Sequence, residues 1–227
     1  MKNFTISDEW RRRYPGASVG ILTMDSVKNP PENAALNRQK DELELAIREQ
    51  YAGFDRQALK SLPIFEAFQT YYKRYNKSYH VQLQLESVAF KDKSIPRVAS
   101  LVEAMFMAEL KNLLLTAGHD RATLETPLGI HVADGSEKFV RLNGQEQRLK
   151  KGDMYIADGQ SIISSVIYGP DQRSRINPET RQVLFTTYAP PGIDPAAVGD
   201  HLRDIERYVH LISPTATTEM LVVFGTE

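Results

Sequence analysis

The chain has no cysteine. Disulfides, a thiol nucleophile and any cysteine-based zinc site are excluded at once. It has no surplus of charge either: 28 Lys and Arg against 29 Asp and Glu leave a net charge of −1. A global basic footprint for nucleic acid is therefore missing, and any such contact must use a local patch. No apolar run approaches the ~18 residues needed to span a bilayer, which implies no membrane partner. The first twenty residues, polar around KNFTISDEWRRRYPG, lack an apolar signal core. With the lack of cysteine, this suits a cytoplasmic protein. Standard catalytic signatures are absent too: no phosphate loop, no GxSxG elbow, no HExxH, no dinucleotide fingerprint. The five histidines, at 80, 119, 131, 201 and 210, are scattered, so neither a metal nor a cofactor is expected.

What is present is an ordinary globular composition, 41% hydrophobic and 25% charged over 227 residues. That length supports one large or two small domains with a self-sufficient core. After the turn Tyr14-Pro15-Gly16, Ala17 to Met24 reads as a short strand. Arg11, Arg12 and Arg13 fit a solvated helix edge better than a phosphate contact. Asn33 is placed to cap a helix reaching Tyr51, with Leu36, Leu43, Ile47 and Tyr51 on one face. A second helix is expected from Pro63 to about Asn76, its apolar face made by Ile64, Phe65, Phe68, Tyr72 and Tyr75. Its end, YYKRYNK, interleaves tyrosines with Lys73, Arg74 and Lys77. That pattern suits base stacking with phosphate contacts, or plain tyrosine packing. Tyr79 to Phe90 fits an alternating strand and a helix face equally well.

The stretch Arg97 to Pro190 organises the rest. Val98, Leu101, Val102, Met105 and Ala108 follow helical spacing, and nearly every other position is apolar, so this helix should be buried on most sides. Leu113 to Leu115 reads as a short core strand ending at a break that holds His119 and Asp120. That pair suits acid/base work, or a loop histidine beside an aspartate capping the next turn. Asn143-Gly144 between apolar runs is a strong hairpin signal. Strands follow at Met154–Ala157, Ile162–Tyr168 and Val183–Tyr188. A helix over Pro195–Leu211, with Val198, Leu202, Ile205 and Val209 inward, leads to an apolar strand from Met220 to Phe224. Arg173 and Arg175 lie in a polar loop that could hold phosphate.

Three segments carry a resemblance: LVEAMFMAELKNLLLTAGHDRATL (101–124), EKFVRLNGQEQRLKKGDMYIAD (137–158) and TRQVLFTTYAP (180–190). Their order and spacing resemble the B3/B4 tRNA-binding and editing domain of the phenylalanyl-tRNA synthetase β subunit, over roughly residues 80–192. The chain looks like a free-standing member. The resemblance implies an α+β fold of mixed and antiparallel sheets packed with helices, and it favours the helix over 79–90. It implies a B3/B4-like domain over 79–227, with residues 1–78 a mostly helical extension packed on the core.

It also implies a tRNA partner, bound at its aminoacylated acceptor end, and hydrolysis of misacylated esters in trans. A pocket separates near-isosteric side chains by only about 1–3 kcal/mol, so a second hydrolytic sieve is needed. The family's polar pocket residues fall at Phe106, Ala117 and Thr186, where this chain has lost them. Asp120, the Asn143-Gly144 turn, Asp158, Gly169, Thr180 and Val183-Leu184 do match. The substrate implied is a smaller amino acid than tyrosine. The implied pocket joins Met105 and Phe106 to Ala117, Ser165, Gly169, Thr187 and Tyr188, with Thr186 and His119 as catalytic groups. The implied tRNA contacts are Lys73, Arg74, Lys77, Lys91, Lys93 and Arg97. The alternative is a module of the same fold that binds tRNA, an amino acid or a protein without chemistry.

Overall fold

A computed structural model of the chain describes residues 4–225. The elements in order are β1 (Phe4–Ile6), α1 (Asp8–Arg13), β2 (Ser18–Asp25), α2 (Ala34–Gln50), α3 (Arg56–Lys60), α4 (Pro63–Lys73), α5 (His80–Lys91) and α6 (Ser100–Asn112). Then come β3 (Leu115–Asp120), a 3₁₀ turn (Arg121–Thr123), β4 (Leu128–Val132), β5 (Lys138–Val140), β6 (Glu146–Arg148), β7 (Met154–Ala157), β8 (Ile162–Ser165), β9 (Gly169–Pro170), β10 (Gln182–Ala189), α7 (Pro195–Ile212) and β11 (Thr217–Gly225). The fold is α+β with mixed sheets, as the resemblance implies.

Local chemistry sets the helix ends. The Asn33 side chain accepts the Leu36 N–H at 3.0 Å to start α2, and Asp194 accepts the Ala196 N–H at 2.9 Å to start α7. Pro63 and Pro195 open α4 and α7, where a missing N–H costs nothing. Ambiguous residues 79–90 form α5, because Val81, Leu85 and Val88 are buried together. The Asn143-Gly144 turn joins β5 to β6, with Gly144 at φ +78°, a region that favours glycine.

Two sheets form the framework. One runs β11-β2-β10-β3, antiparallel throughout, and the other runs β1-β4-β7-β8-β9, with β1 parallel to β4. Helix α7 covers one face of the first sheet, with Val198, Leu202, Ile205 and Val209 fully buried. The opposite face meets the second sheet, where the Tyr188 hydroxyl bonds Ser164 Oγ at 2.7 Å. The Lys40 ammonium and Glu103 carboxylate form a buried ion pair between α2 and α6.

Four details differ from expectation. The strand expected at Leu113 starts at Leu115, because Leu113 takes a left-handed conformation (φ +61°) that ends α6. Its carbonyl accepts the Tyr79 hydroxyl at 3.0 Å. His119 therefore lies within β3 rather than at a break. Val98 is 52% exposed and outside α6, because Ala99 is its N-cap. The strand expected over 162–168 stops at Ser165, the Tyr168 N–H turning back to Ser165 Oγ at 3.1 Å before β9 begins at Gly169. Finally, the boundary expected at residue 78 cuts through a sheet: β2 lies between β10 and β11. The first 78 residues thus supply a central strand as well as helices.

Candidate functional site

Along α6, Val102, Met105, Phe106 and Glu109 recur at helical i, i+3, i+4, i+7 spacing, so they share one face. That face forms a wall of a recess of about 220 Å³. Opposite lie Leu115, Thr116 and Gly118 of β3, Gly169 and Pro170 of β9, and Ile176. His80, at the start of α5, the hairpin residue Leu142 and exposed Arg175 complete the lining. Gly118 keeps the recess open. A Cβ there would lie 2.7 Å from Ile176 Cδ1, 3.3 Å from Phe185 Cε1 and 3.4 Å from Met105 Sδ. The volume is below the ~300–1,000 Å³ of sites for drug-sized ligands, so it fits one small group.

Glu109 is the chemically distinctive group in it. It is 1% exposed, and its carboxylate accepts the Thr116 backbone N–H at 2.8 Å. Burial pushes its pKa from the ordinary 4.5 up to about 8, the Thr116 bond opposing in part. At neutral pH the group is mostly a carboxylic acid and can donate a hydrogen bond. The His80 ring packs against Tyr72 and Tyr79, with its outer part in solvent. Desolvation lowers its pKa from the ordinary 6.5, so it is neutral at pH 7 and can accept a proton. Among the described residues, no three His, Asp or Glu side chains cluster as metal ligands, and no helix is long and apolar enough to cross a membrane.

Of the implied pocket residues, Met105, Phe106 and Gly169 line this recess. The rest do not. Thr186 pairs with Ala117 and Leu184 with His119 across β10 and β3. Strand alternation turns Thr186, Ala117 and His119 with Tyr188 toward the second sheet, away from Thr116 and Gly118. Thr186 and His119 are both fully buried. The Thr186 hydroxyl donates a long 3.5 Å bond to the Ala117 carbonyl. His119 Nδ1 lies 2.7 Å from Ser174 Oγ, whose hydroxyl goes to Asp171, while His119 Nε2 is buried with no hydrogen-bond partner among the described residues. Burial takes the His119 pKa down to about 3, so it is neutral but sealed. Thr187 sits behind the recess, 3.3 Å from Thr116 Oγ1, and Ser165 braces the turn before Gly169.

The expected cations separate likewise. Lys73, Arg74 and Lys77 are exposed near the start of α5, Lys91 and Lys93 at its far end, and Arg97 pairs with Glu32 at 3.7 Å. Arg74 lies over the Tyr14 ring at 5.7 Å. Tyr71, Tyr72 and Tyr75 are buried, so packing explains the tyrosines of YYKRYNK and stacking on bases does not. The sequence reading missed Glu109 as a site residue and considered His80 only for metal. The available signal was an acid on the apolar face shared by Val102, Met105 and Phe106.

Comparison with known proteins agrees with this architecture. No curated protein matches the chain. Among solved structures, it is similar to an N-terminal fragment of the phenylalanyl-tRNA synthetase beta-subunit from Pyrococcus horikoshii, with 10% identity and a TM-score of 0.50. The match covers 97% of this chain and 53% of that one, so the chain spans about half the length of that fragment, and the likeness is one of fold. The B3/4 domain model matches residues 66–210, which include α5, α6 and the strands around the recess. Over nearly two-thirds of its length, therefore, this chain belongs to the B3/4 domain family.

Proposed function

We infer that the protein binds tRNA and hydrolyses the ester of a misattached small amino acid in trans, with the amino-acid side chain in the recess. The observation that carries this reading is a small apolar recess holding a buried acid that stays neutral at pH 7. A volume of about 220 Å³ excludes a whole nucleotide but takes a short side chain, apolar or bearing one hydroxyl. In this reading the Glu109 O–H donates to the ester carbonyl, where negative charge develops as water adds. Neutral His80 takes the proton from that water and returns it to the departing ribose oxygen. The acyl–oxygen bond breaks, leaving a free amino acid and an intact tRNA end. Thr186 and His119 support β3 from its far face and do not touch the ester.

One observation favours a second reading, in which the recess only binds. The two groups implied as catalytic by resemblance are sealed away from it. A deacylation screen separates the two. Purified protein is mixed with tRNAs charged with each natural amino acid, and ester loss is timed against buffer. Selective loss of one or two small-side-chain esters is expected. Tyrosyl ester lost fastest would overturn the assignment, and salt-sensitive binding without ester loss would establish the binding module.

A further inference from the structure

Beside the recess lies a second, polar cup of about 140 Å³, formed where α3, α4 and α5 meet. Four cations line it: Arg56, Lys60, Lys73 and Lys77. One carboxylate answers them. Glu86 takes Arg56 Nε at 3.0 Å and Gln82 Nε2 at 2.7 Å. Among the described residues, Lys60, Lys73 and Lys77 have no carboxylate within ion-pair distance. Like charges gathered this way are unfavourable unless an anion joins them. A chain of net charge −1 that concentrates cations at one place has made the local patch that its overall charge lacks.

The cup and the recess have no lining residue in common, but the chain joins them at the start of α5. Lys77 and Tyr79 line the cup, and His80, the next residue, lines the recess. A second link runs through Tyr168. Lys77 lies over its ring at 5.7 Å and Arg141 at 6.0 Å, and it directly precedes Gly169 of the recess. Tyr168 is half-buried, packed in part against the cluster of Phe139, Leu149 and Ile162 and in part open to solvent. Cations in a row beside an aromatic face are how single strands of nucleic acid are held without reading their sequence.

We propose that the cup formed by Arg56, Lys60, Lys73 and Lys77 binds a backbone phosphate of a single-stranded RNA end, and that Tyr168 carries one of its bases on the way to the recess. This rests on the reading of the recess as an ester site, and it assigns the strand a path. The test is anisotropy with a labelled single-stranded RNA 12-mer against wild type, Lys60→Gln/Lys73→Gln, Tyr168→Ala, and a charge-matched Arg203→Gln/Arg207→Gln on α7. Circular dichroism melts check that each is folded. The cup variant is expected to bind at least ~10-fold more weakly, and its salt slope to fall by about 0.7, the value for one lost phosphate contact. Tyr168→Ala is expected to weaken binding with the salt slope unchanged. Equal losses in the α7 variant, or none in the cup variant, would overturn the proposal. So would competition by inorganic phosphate or a mononucleotide as tight as the 12-mer, which would mark a small phosphorylated ligand instead. Ester loss by wild type with normal RNA binding by the cup variant defeats this path alone. RNA binding that depends on the cup, with no ester loss by wild type, defeats the hydrolytic reading alone.

Discussion

The Glu109 carboxylate accepts the backbone N–H of Thr116 across the turn from α6 to β3, and this one bond holds a buried acid at the wall of the recess. The proposed chemistry needs that acid protonated. Deacylation above the buffer rate is expected to fall as pH rises through about 8. Glu109→Gln keeps an acceptor for Thr116 and a permanently neutral donor. It is expected to retain activity within about tenfold and to lose the alkaline fall. Single-turnover rates from pH 6 to 9 measure both. An unchanged alkaline limb in the variant would remove Glu109 from the reaction.

Thermal stability should peak on the acid side of neutrality. Glu109 and Asp153 are buried with pKa values raised to about 8 and about 7, from 4.5 and 3.8. The unfolded chain gives up these protons first, so stability falls as pH rises from the ordinary to the raised values. His119 and His201 are buried with pKa values lowered to about 3 and about 4, from 6.5. There the unfolded chain takes up protons first, so stability falls as pH drops below 6.5. The two trends oppose each other where they overlap, which places the maximum at about pH 5–6. Melting curves from pH 4 to 9 would show it, and Glu109→Gln should flatten the decline toward pH 8.

Gly118→Ala tests the shape of the recess. The added methyl meets Ile176, Phe185 and Met105. Overpacking of this kind costs about 1–3 kcal/mol, read from urea denaturation. If the variant still folds, its deacylation should fall most for the largest side chain that wild type accepts, because Met105 and Ile176 are pushed toward the cavity.

The buried pair Lys40–Glu103 tests the frame around α6. Glu103 also accepts the Val98 N–H at 3.0 Å, so it holds the entry to that helix. Lys40→Met leaves a carboxylate without its partner and is expected to cost about 3–5 kcal/mol. Lys40→Met/Glu103→Leu should recover most of that loss. Urea midpoints for the two variants check the order.

Much of the framework was legible in the sequence because local chemistry fixes it. Asn33, Pro63, Asn143-Gly144 and Pro195 mark where elements begin and turn, and the apolar spacings of α2, α4 and α7 name their buried faces. The site was less legible. Met105, Phe106 and Gly169, which line the recess, were named because the resemblance pointed to those positions. Thr186 and His119 were misplaced relative to the recess because which face of β10 and β3 meets helix and which meets sheet depends on how the sheets stack. The left-handed Leu113 also hid where β3 begins, since nothing local distinguishes it from the two leucines that follow it. Glu109 was passed over because an acid in an apolar helix looks the same whether it reaches water, an ion-pair partner such as that of Glu103, or a cavity.

The position of β2 has a consequence for synthesis of the chain. Ile21 is paired on one side with Thr186 and on the other with Val222. A ribosome releases β2 early, and both of its neighbours late. Until they emerge, the SVGILTM segment has two unpaired edges and a row of apolar side chains in the open. The first sheet therefore closes after translation has passed Gly225. In that interval β2 is the kind of unpaired apolar strand that makes partly folded chains prone to aggregate.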